Sequence, residues 1–367
     1  MGAKVAALEE EMSRFSGGMN TLMVANGSVA NQLVFELWKI KNPAVTPVVI
    51  CPAVTWISSI TPAMMAGMEV VFCDVNLTDF AFDYDHLKNL LDRYADRRVI
   101  IWPTALIGFV PDMARLHALA AAHGAADVYL DSCENTFGWV NGNSDSILRS
   151  ADITTTSTYL SHHITSVEGG FVFFKHRSDY DLGRMFRNHG MTRSLPPSNA
   201  LRQTFETTYP EVDPQFLFGL PGTNLRPSDV HAMFGLADMK RAYEAMRHRI
   251  AIYDQFSLTL AQDRYYLPPR QLGHVAFCLP IFVREDGKLA SVKEALTDAG
   301  IEVRPIVGSH LGKQPALKHL FELGPVYPNA QWIHDHGCYV GLGGHVTPRM
   351  VEKLTTVLNN LGGDPLA

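Results

Sequence analysis

The chain has 367 residues, 47% hydrophobic and 19% charged, which is enough apolar material for a sizeable core and too much for wholesale disorder. Its net charge of −6, without a long basic run, argues against nucleic acid as a main partner, and no apolar stretch approaches a membrane span. The five cysteines (Cys51, Cys73, Cys133, Cys278 and Cys338) are scattered, odd in number and without CxxC spacing, so no disulfide framework or metal cluster is indicated and a reducing, cytoplasmic location is expected.

The chain opens on MGAKVAALEEEMSRF, an amphipathic helical pattern unlike a signal peptide. Short apolar, β-branched segments then alternate with helical patterns. TPVVIC, MEVVFCDV, RRVIIWPT, ADVYLDS, ITTTSTY and GGFVFF read as strands, with helices near 28–40, 57–66, 84–94 and 112–123. This alternation predicts an α/β fold with a mostly parallel central sheet, which binds ligands at the carboxyl ends of its strands. The segment 191–226, rich in Pro, Gly, Asn and Ser, reads as a long ordered loop. One long helix follows from Asp229, with Ser228 as its N-cap. Beyond it the pattern becomes a smaller α+β unit: HVAFCLPIFV as a strand, KLASVKEALTDAG as a helix, IEVRPIV as a strand and TPRMVEKLTTVLNNLG as the closing helix. The expected division is a large α/β domain over 1–245 and a small C-terminal α+β domain over 246–367.

Several side chains at these strand ends carry chemistry. Asn26 to Asn31, NGSVAN, open a helix whose Gly27 and Ser28 suit a phosphate, although an ordinary helix start has the same look. Trp56, after a strand, can stack on a flat ring or serve as a partly buried structural residue. Asp131 ends ADVYLDS, where a carboxylate can keep a pyridine nitrogen protonated or simply close a turn. The most specific run is Ser157 to His163 followed by Glu168-Gly169-Gly170: a hydroxyl for a phosphate, an imidazole five residues on, and glycines that let the next strand turn back. Together these residues look built to hold pyridoxal phosphate. Enzymes using that cofactor tie its aldehyde to a lysine as a Schiff base, yet no lysine lies between Lys88 and Lys175. His162 stands where the lysine is expected, and an imidazole moves protons but forms no stable imine. His334 and His336, in IHDHGC, read as a pair on an exposed turn, with a metal site the less favoured alternative. His310, Arg226 and Arg304 are candidates to line a pocket or meet an anionic substrate.

NGSVAN, PAVTW, FCDV, LIGFVPDM, LDSCENTFG, S-x4-H-x5-EGG, RNHGMTR, LPGTNLRPSD and AGIEVRPIV occur in the order seen in the DegT/DnrJ/EryC1/StrS family of sugar aminotransferases, which the chain resembles over nearly its whole length. The resemblance implies the type I, aspartate-aminotransferase-like fold of pyridoxal-phosphate-dependent transferases. It implies that Gly27, Ser28 and Ser157 hold the cofactor phosphate, Trp56 stacks on the ring, Asp131 pairs with its nitrogen, and His162 is the catalytic base. Glu134 and His189 would border the site, and Asn224 would reach the phosphate of the neighbouring subunit in a homodimer with shared sites. Members usually carry lysine at position 162. The branch with histidine is similar to sugar 3-dehydratases, which remove the carbon-3 hydroxyl of a 4-keto-6-deoxy nucleotide sugar of the GDP-4-keto-6-deoxy-D-mannose type, with L-glutamate as amino donor and pyridoxal phosphate cycling through pyridoxamine phosphate. The chain departs from the family before its first helix and at GLGGHVTP. Two other functions fit a missing lysine: a cofactor-binding protein without turnover, and a lysine-less nucleotide-sugar aminotransferase.

Overall fold

A computed structural model of the chain describes residues 1–140, 145–321 and 326–361. Its first half is built on one mixed sheet. Glu69–Cys73, Val48–Pro52, Val99–Ile101 and Ala126–Val128 lie side by side in that order, all parallel. The chain continues through Tyr129 into Leu130–Asp131, which pairs in parallel with Ile153–Ser157. Gly170–Phe174 is antiparallel to that strand and to Asn20–Val24, which closes the edge. The two halves of the sheet meet at Asp131: its N–H donates to the Pro103 carbonyl (3.0 Å) and its carbonyl accepts from Ala105 (2.8 Å). All five residues of Val48–Pro52, Ile153–Ser157 and Gly170–Phe174 are buried, as expected of strands covered on both faces.

The helices begin where their sequences say. Asn26 caps Gly27–Lys41 by accepting from Val29, Asp83 caps Tyr84–Arg93, and Ser228 caps Asp229–Met239 by accepting from His231. Three expectations are corrected. The presumed loop 191–226 contains a helix, Ala200–Thr208, capped by Asn199. None of its residues is fully buried, and its apolar face is only the half-buried pair Leu201 and Phe205. The long helix after Ser228 is two, Asp229–Met239 and Ala242–Thr259, broken at Lys240 and Arg241. His334 and His336 lie not on an exposed turn but on the helix Pro328–His336, where His336 is buried with Nδ1 on the Val283 carbonyl (2.5 Å).

The C-terminal residues form a second, antiparallel sheet in the order Tyr265–Tyr266, Cys278–Val283, Gly337–Gly341, Val303–Pro305. The expected strand HVAFCLPIFV is a strand only from Cys278. His274 to Phe277 instead run beside the turn Leu106–Gly108, with Val275 donating to Gly108 and Phe277 to Ile107. The expected closing helix is Pro348–Asn360; Gly362, its last expected residue, lies outside the described residues. Buried Asp74, at the end of Glu69–Cys73, accepts from Asn329 (3.0 Å) and Ala330 (2.9 Å) and so pins the start of Pro328–His336 to the first sheet.

The N-terminal helix Ala3–Phe15 is clamped to the sheet by charge. Arg187 is 2% exposed; it donates to Glu9 (2.6 Å) and to the Met23 carbonyl, while Glu9 also accepts from the Met23 N–H (2.9 Å). Removing one member of such a pair leaves an uncompensated buried charge. Glu9→Ala is therefore expected to lower unfolding stability by about 3–5 kcal/mol, measured by urea denaturation. A loss below about 1 kcal/mol, the range of surface pairs, would show that the clamp carries little of the fold.

Candidate active site

The carboxyl ends of the strands of the first sheet open into a cavity of about 1340 Å³ that reaches across to the second sheet. Gly27, Ser28, Trp56, Asp131, Glu134, Ser157, His162 and Arg304 all line it.

Gly27 and Ser157 form one corner. A Cβ on Gly27 would lie 2.7 Å from the Ser157 Cβ, so only glycine lets this helix start approach the strand end. Gly170 is required for a similar reason: its Cβ would stand 2.6 Å from the Asn26 backbone. The double glycine after Glu168 thus serves close packing, Gly169 against Ser166 and Thr158 and Gly170 against the Asn26–Gly27 cap, rather than a left-handed turn; neither glycine has a positive φ. Ser157 is 6% exposed, with its hydroxyl accepting from the Tyr159 N–H (3.2 Å).

Asp131 is 2% exposed and fully oriented. One oxygen accepts from Asn31 (2.8 Å) and Ser59 (2.5 Å), the other from the Cys133 N–H (3.0 Å). Asn31 is itself held by the Thr155 hydroxyl (2.6 Å). Asn31, Ser59 and Thr155 were not anticipated from sequence. Asn31 had one available signal, an amide among the apolar positions of the helix's buried face.

His162 stands beside this group. Its Nδ1 lies 2.6 Å from the Cys133 carbonyl. A carbonyl only accepts, so the neutral ring carries its proton on Nδ1 and leaves Nε2 with a lone pair. Its ring packs on Phe277, with centroids 5.1 Å apart. Burial lowers the imidazole pKa; the Cys133 carbonyl and Asp131 oppose that shift, and Arg249 adds to it. Glu134 accepts from the Ile107 N–H (2.7 Å), and burial pushes its carboxyl up to about 7. Ile107 holds a left-handed φ of 48°, a strained conformation for a β-branched residue that aims its N–H at Glu134. His163, next to it in sequence, is 4% exposed and stacks flat on Phe137 at 5.0 Å.

Of the remaining candidates, Asn224, Arg226, His189 and His310 lie outside the cavity lining, and Arg304 lies within it. Asn224 and Arg226 are exposed and paired, with the Asn224 side-chain oxygen accepting from Arg226 Nε (2.9 Å). The His189 N–H donates to Thr223 beside them (2.9 Å). His310 is 8% exposed, packs edge-on to Phe321 and Tyr327, and accepts from the Gly312 N–H (3.0 Å). Arg304 reaches the cavity from the second sheet, paired with Glu302 (2.7 Å). Lys353 is the one lysine lining the cavity among the described residues, and its ammonium sits on the Ala299 carbonyl (2.6 Å).

The model of the DegT/DnrJ/EryC1/StrS aminotransferase family matches residues 1–359. The chain belongs to this family. It is 28% identical over 353 residues to the GDP-4-keto-6-deoxy-D-mannose 3-dehydratase of Yersinia pseudotuberculosis, covering 93% of this chain and 87% of that one. It is 24% identical to the dTDP-4-dehydro-2,6-dideoxy-D-glucose 3-dehydratase of Saccharopolyspora spinosa, covering 96% and 78%. Among solved structures, it superposes on E. coli GDP-4-keto-6-deoxy-D-mannose-3-dehydratase with bound hydrated pyridoxal phosphate at a TM-score of 0.87, with 24% identity and 98% and 92% of the two chains covered. The fold is that of the aspartate-aminotransferase-like, pyridoxal-phosphate-dependent transferases, and the family depends on that cofactor. No helix among the described residues is long and apolar enough to cross a membrane.

Proposed function

We propose that the chain is a 3-dehydratase of a 4-keto-6-deoxy nucleotide sugar, of the GDP-4-keto-6-deoxy-D-mannose type, using pyridoxal and pyridoxamine phosphate with L-glutamate as amino donor. The observation that carries this reading is His162, with its Nε2 lone pair available, in a cavity where, among the described residues, no lysine amine stands beside Asp131. Relatives on both the sequence and the structure side are named as nucleotide-sugar 3-dehydratases. One of the solved relatives holds a trapped adduct of pyridoxal phosphate and glutamate.

The residues fit the cofactor. The space at Gly27, which a Cβ would fill, together with Ser28 and Ser157, suits its phosphate; Trp56, 56% exposed, offers a free aromatic face; and Asp131 suits its ring nitrogen. When bound, pyridoxamine phosphate supplies an amine that condenses with the 4-keto group and a ring that takes up electrons. The protein's part is proton management. Asp131, oriented by Asn31, Ser59 and Cys133, would hold the proton of the ring nitrogen. His162 would take a proton on Nε2 and return it to the departing carbon-3 hydroxyl as water. A lysine here could displace the amino sugar by transimination and give a transaminase; an imidazole cannot, so a 3-deoxy ketone and ammonia are the products.

The working unit in this reading is a homodimer. Asn224, Arg226 and His189 lie outside their own chain's cavity, and the next helix exposes Val230, Met233 and Phe234 to 63%, 56% and 55%. These residues would pack on the partner while Asn224 completes the partner's phosphate site.

Cofactor held without a covalent bond is a direct consequence. Borohydride reduction of the purified holoprotein should leave the protein mass unchanged. A reduced adduct on any lysine lining the cavity would contradict the reading.

A further inference from the structure

The loop from Thr158 to Gly169, which carries His162, is closed at its neck. The Thr158 N–H donates to the Gly169 carbonyl (2.8 Å), the Ser166 N–H to the Thr158 carbonyl (2.9 Å), and the two hydroxyls meet at 2.5 Å. A closed neck fixes where the loop begins and ends and leaves its limbs to other contacts. Val167 holds a left-handed φ of 71°, which a β-branched residue keeps only where its surroundings impose it. Its N–H donates to the Thr165 hydroxyl (3.0 Å), and the Thr165 N–H donates in turn to Asp238 Oδ2 (2.9 Å) on the helix Asp229–Met239. Among the described residues, Asp238 is the one carboxylate hydrogen-bonded to this loop. Gly235, about one turn earlier, lets the helix approach: a Cβ there would lie 3.3 Å from the Ser166 Cβ.

Asp238 stands where its helix does not favour an acid. The last turn presents unpaired carbonyls that attract cations, and no basic residue is there. A residue that breaks a local rule is held by something beyond its own helix. Here a second contact is visible. Arg249, 5% exposed, donates from Nη1 to the Ala276 and Phe277 carbonyls, both at 3.1 Å, and the Phe277 ring packs on His162. Burial pushes this guanidinium down to about 10, and Cys278 and Asp238 oppose the shift. Burial also keeps the Cys278 thiol neutral, so the carboxylate is the counter-charge of Arg249. Asp238, Arg249 and His162 line the same cavity.

We infer that Asp238 is a positioning residue for His162: through Thr165 it holds the loop that carries the imidazole, and through Arg249 it steadies the segment that packs against it. This rests on the proposed function, in which His162 moves the proton, and deepens it by naming what keeps Nε2 in place. The Cys133 carbonyl fixes the ring at Nδ1 alone. One hydrogen bond leaves the ring free to tilt about it, so the loop on one side and Phe277 on the other decide where the lone pair points. A general base works only within hydrogen-bond reach of its proton, and a misplacement of about 1 Å can cost about 10²-fold.

The test pairs hydrogen exchange of the holoenzyme, read by mass spectrometry, with steady-state kinetics on the sugar nucleotide it accepts. Asp238→Ala should speed exchange in peptides spanning Tyr159 to Glu168 and lower kcat by about 10- to 100-fold. KM for the sugar nucleotide and the cofactor affinity should stay near those of the wild type, since binding groups are untouched. Asp238→Asn keeps an acceptor for the Thr165 N–H and loses the charge facing Arg249. It should retain the loop's protection and fall between the two in kcat. Unchanged exchange or unchanged kcat in Asp238→Ala overturns the proposal. So does a raised KM with kcat kept, which would make Asp238 a substrate contact. Should the alanine variant fail to fold, Asp238→Asn decides, and wild-type kcat there overturns the proposal. If exchange responds as expected but the wild type turns over no sugar nucleotide, the hold on the loop stands and the proposed function falls.

Discussion

Replacing His162 with asparagine should lower turnover by about 10²–10⁴-fold, the usual worth of a positioned general base, while cofactor affinity stays near that of the wild type. The asparagine amide can still donate to the Cys133 carbonyl, so the local fold is kept, but it accepts no proton near neutrality. The wild-type pH profile carries the same information. A base must be neutral to act, and burial holds the His162 pKa below the ordinary 6.5. The rate should therefore persist as pH falls past 6.5 and drop only below it, and this acid limb should vanish in the residual activity of the variant. Lost cofactor binding in His162→Asn would make the imidazole a structural anchor. Full retained dehydration would move the proton shuttle to another group, with buried His163 first to examine.

Asp131→Asn should cost about 10²–10³-fold in turnover, the range for removing one preorganised electrostatic contact at a reacting centre. The substitution preserves shape but turns one acceptor into a donor. Asn31, Ser59 and the Cys133 N–H all donate to this carboxylate, so an amide must set its own N–H against at least one of them. Weaker cofactor binding is expected alongside, because the ring nitrogen loses its counter-charge. Steady-state kinetics with a fluorescence titration of the cofactor separates the two effects. Wild-type turnover at saturating cofactor would show that Asp131 merely closes the turn after its strand.

The parts of this site visible in sequence are those that local rules place. Trp56, Asp131 and Ser157 end or follow strands, and Gly27 starts a helix, so alternation of strand and helix was enough to bring them to one edge. The absent lysine is a fact of sequence alone. What could not be read there depends on contacts distant in the chain. Asn31 lies 100 residues from Asp131, and Thr155, which holds Asn31, lies 124 residues from it. The strand Asn20–Val24 was overlooked because its centre, Leu22 and Met23, is made of residues that favour helix, where the recognised strands are rich in β-branched and aromatic side chains. The helix Ala200–Thr208 was missed because its packed face is short, only the half-buried Leu201 and Phe205 among polar residues.

The products of turnover distinguish dehydration from transamination most directly. Purified protein incubated with glutamate, pyridoxal phosphate and a panel of 4-keto-6-deoxy nucleotide sugars, followed by mass analysis, should yield from one of them a 3-deoxy ketone together with ammonia and 2-oxoglutarate. A 4-amino sugar that keeps its carbon-3 oxygen, or no change in any sugar while the cofactor remains bound, would contradict it.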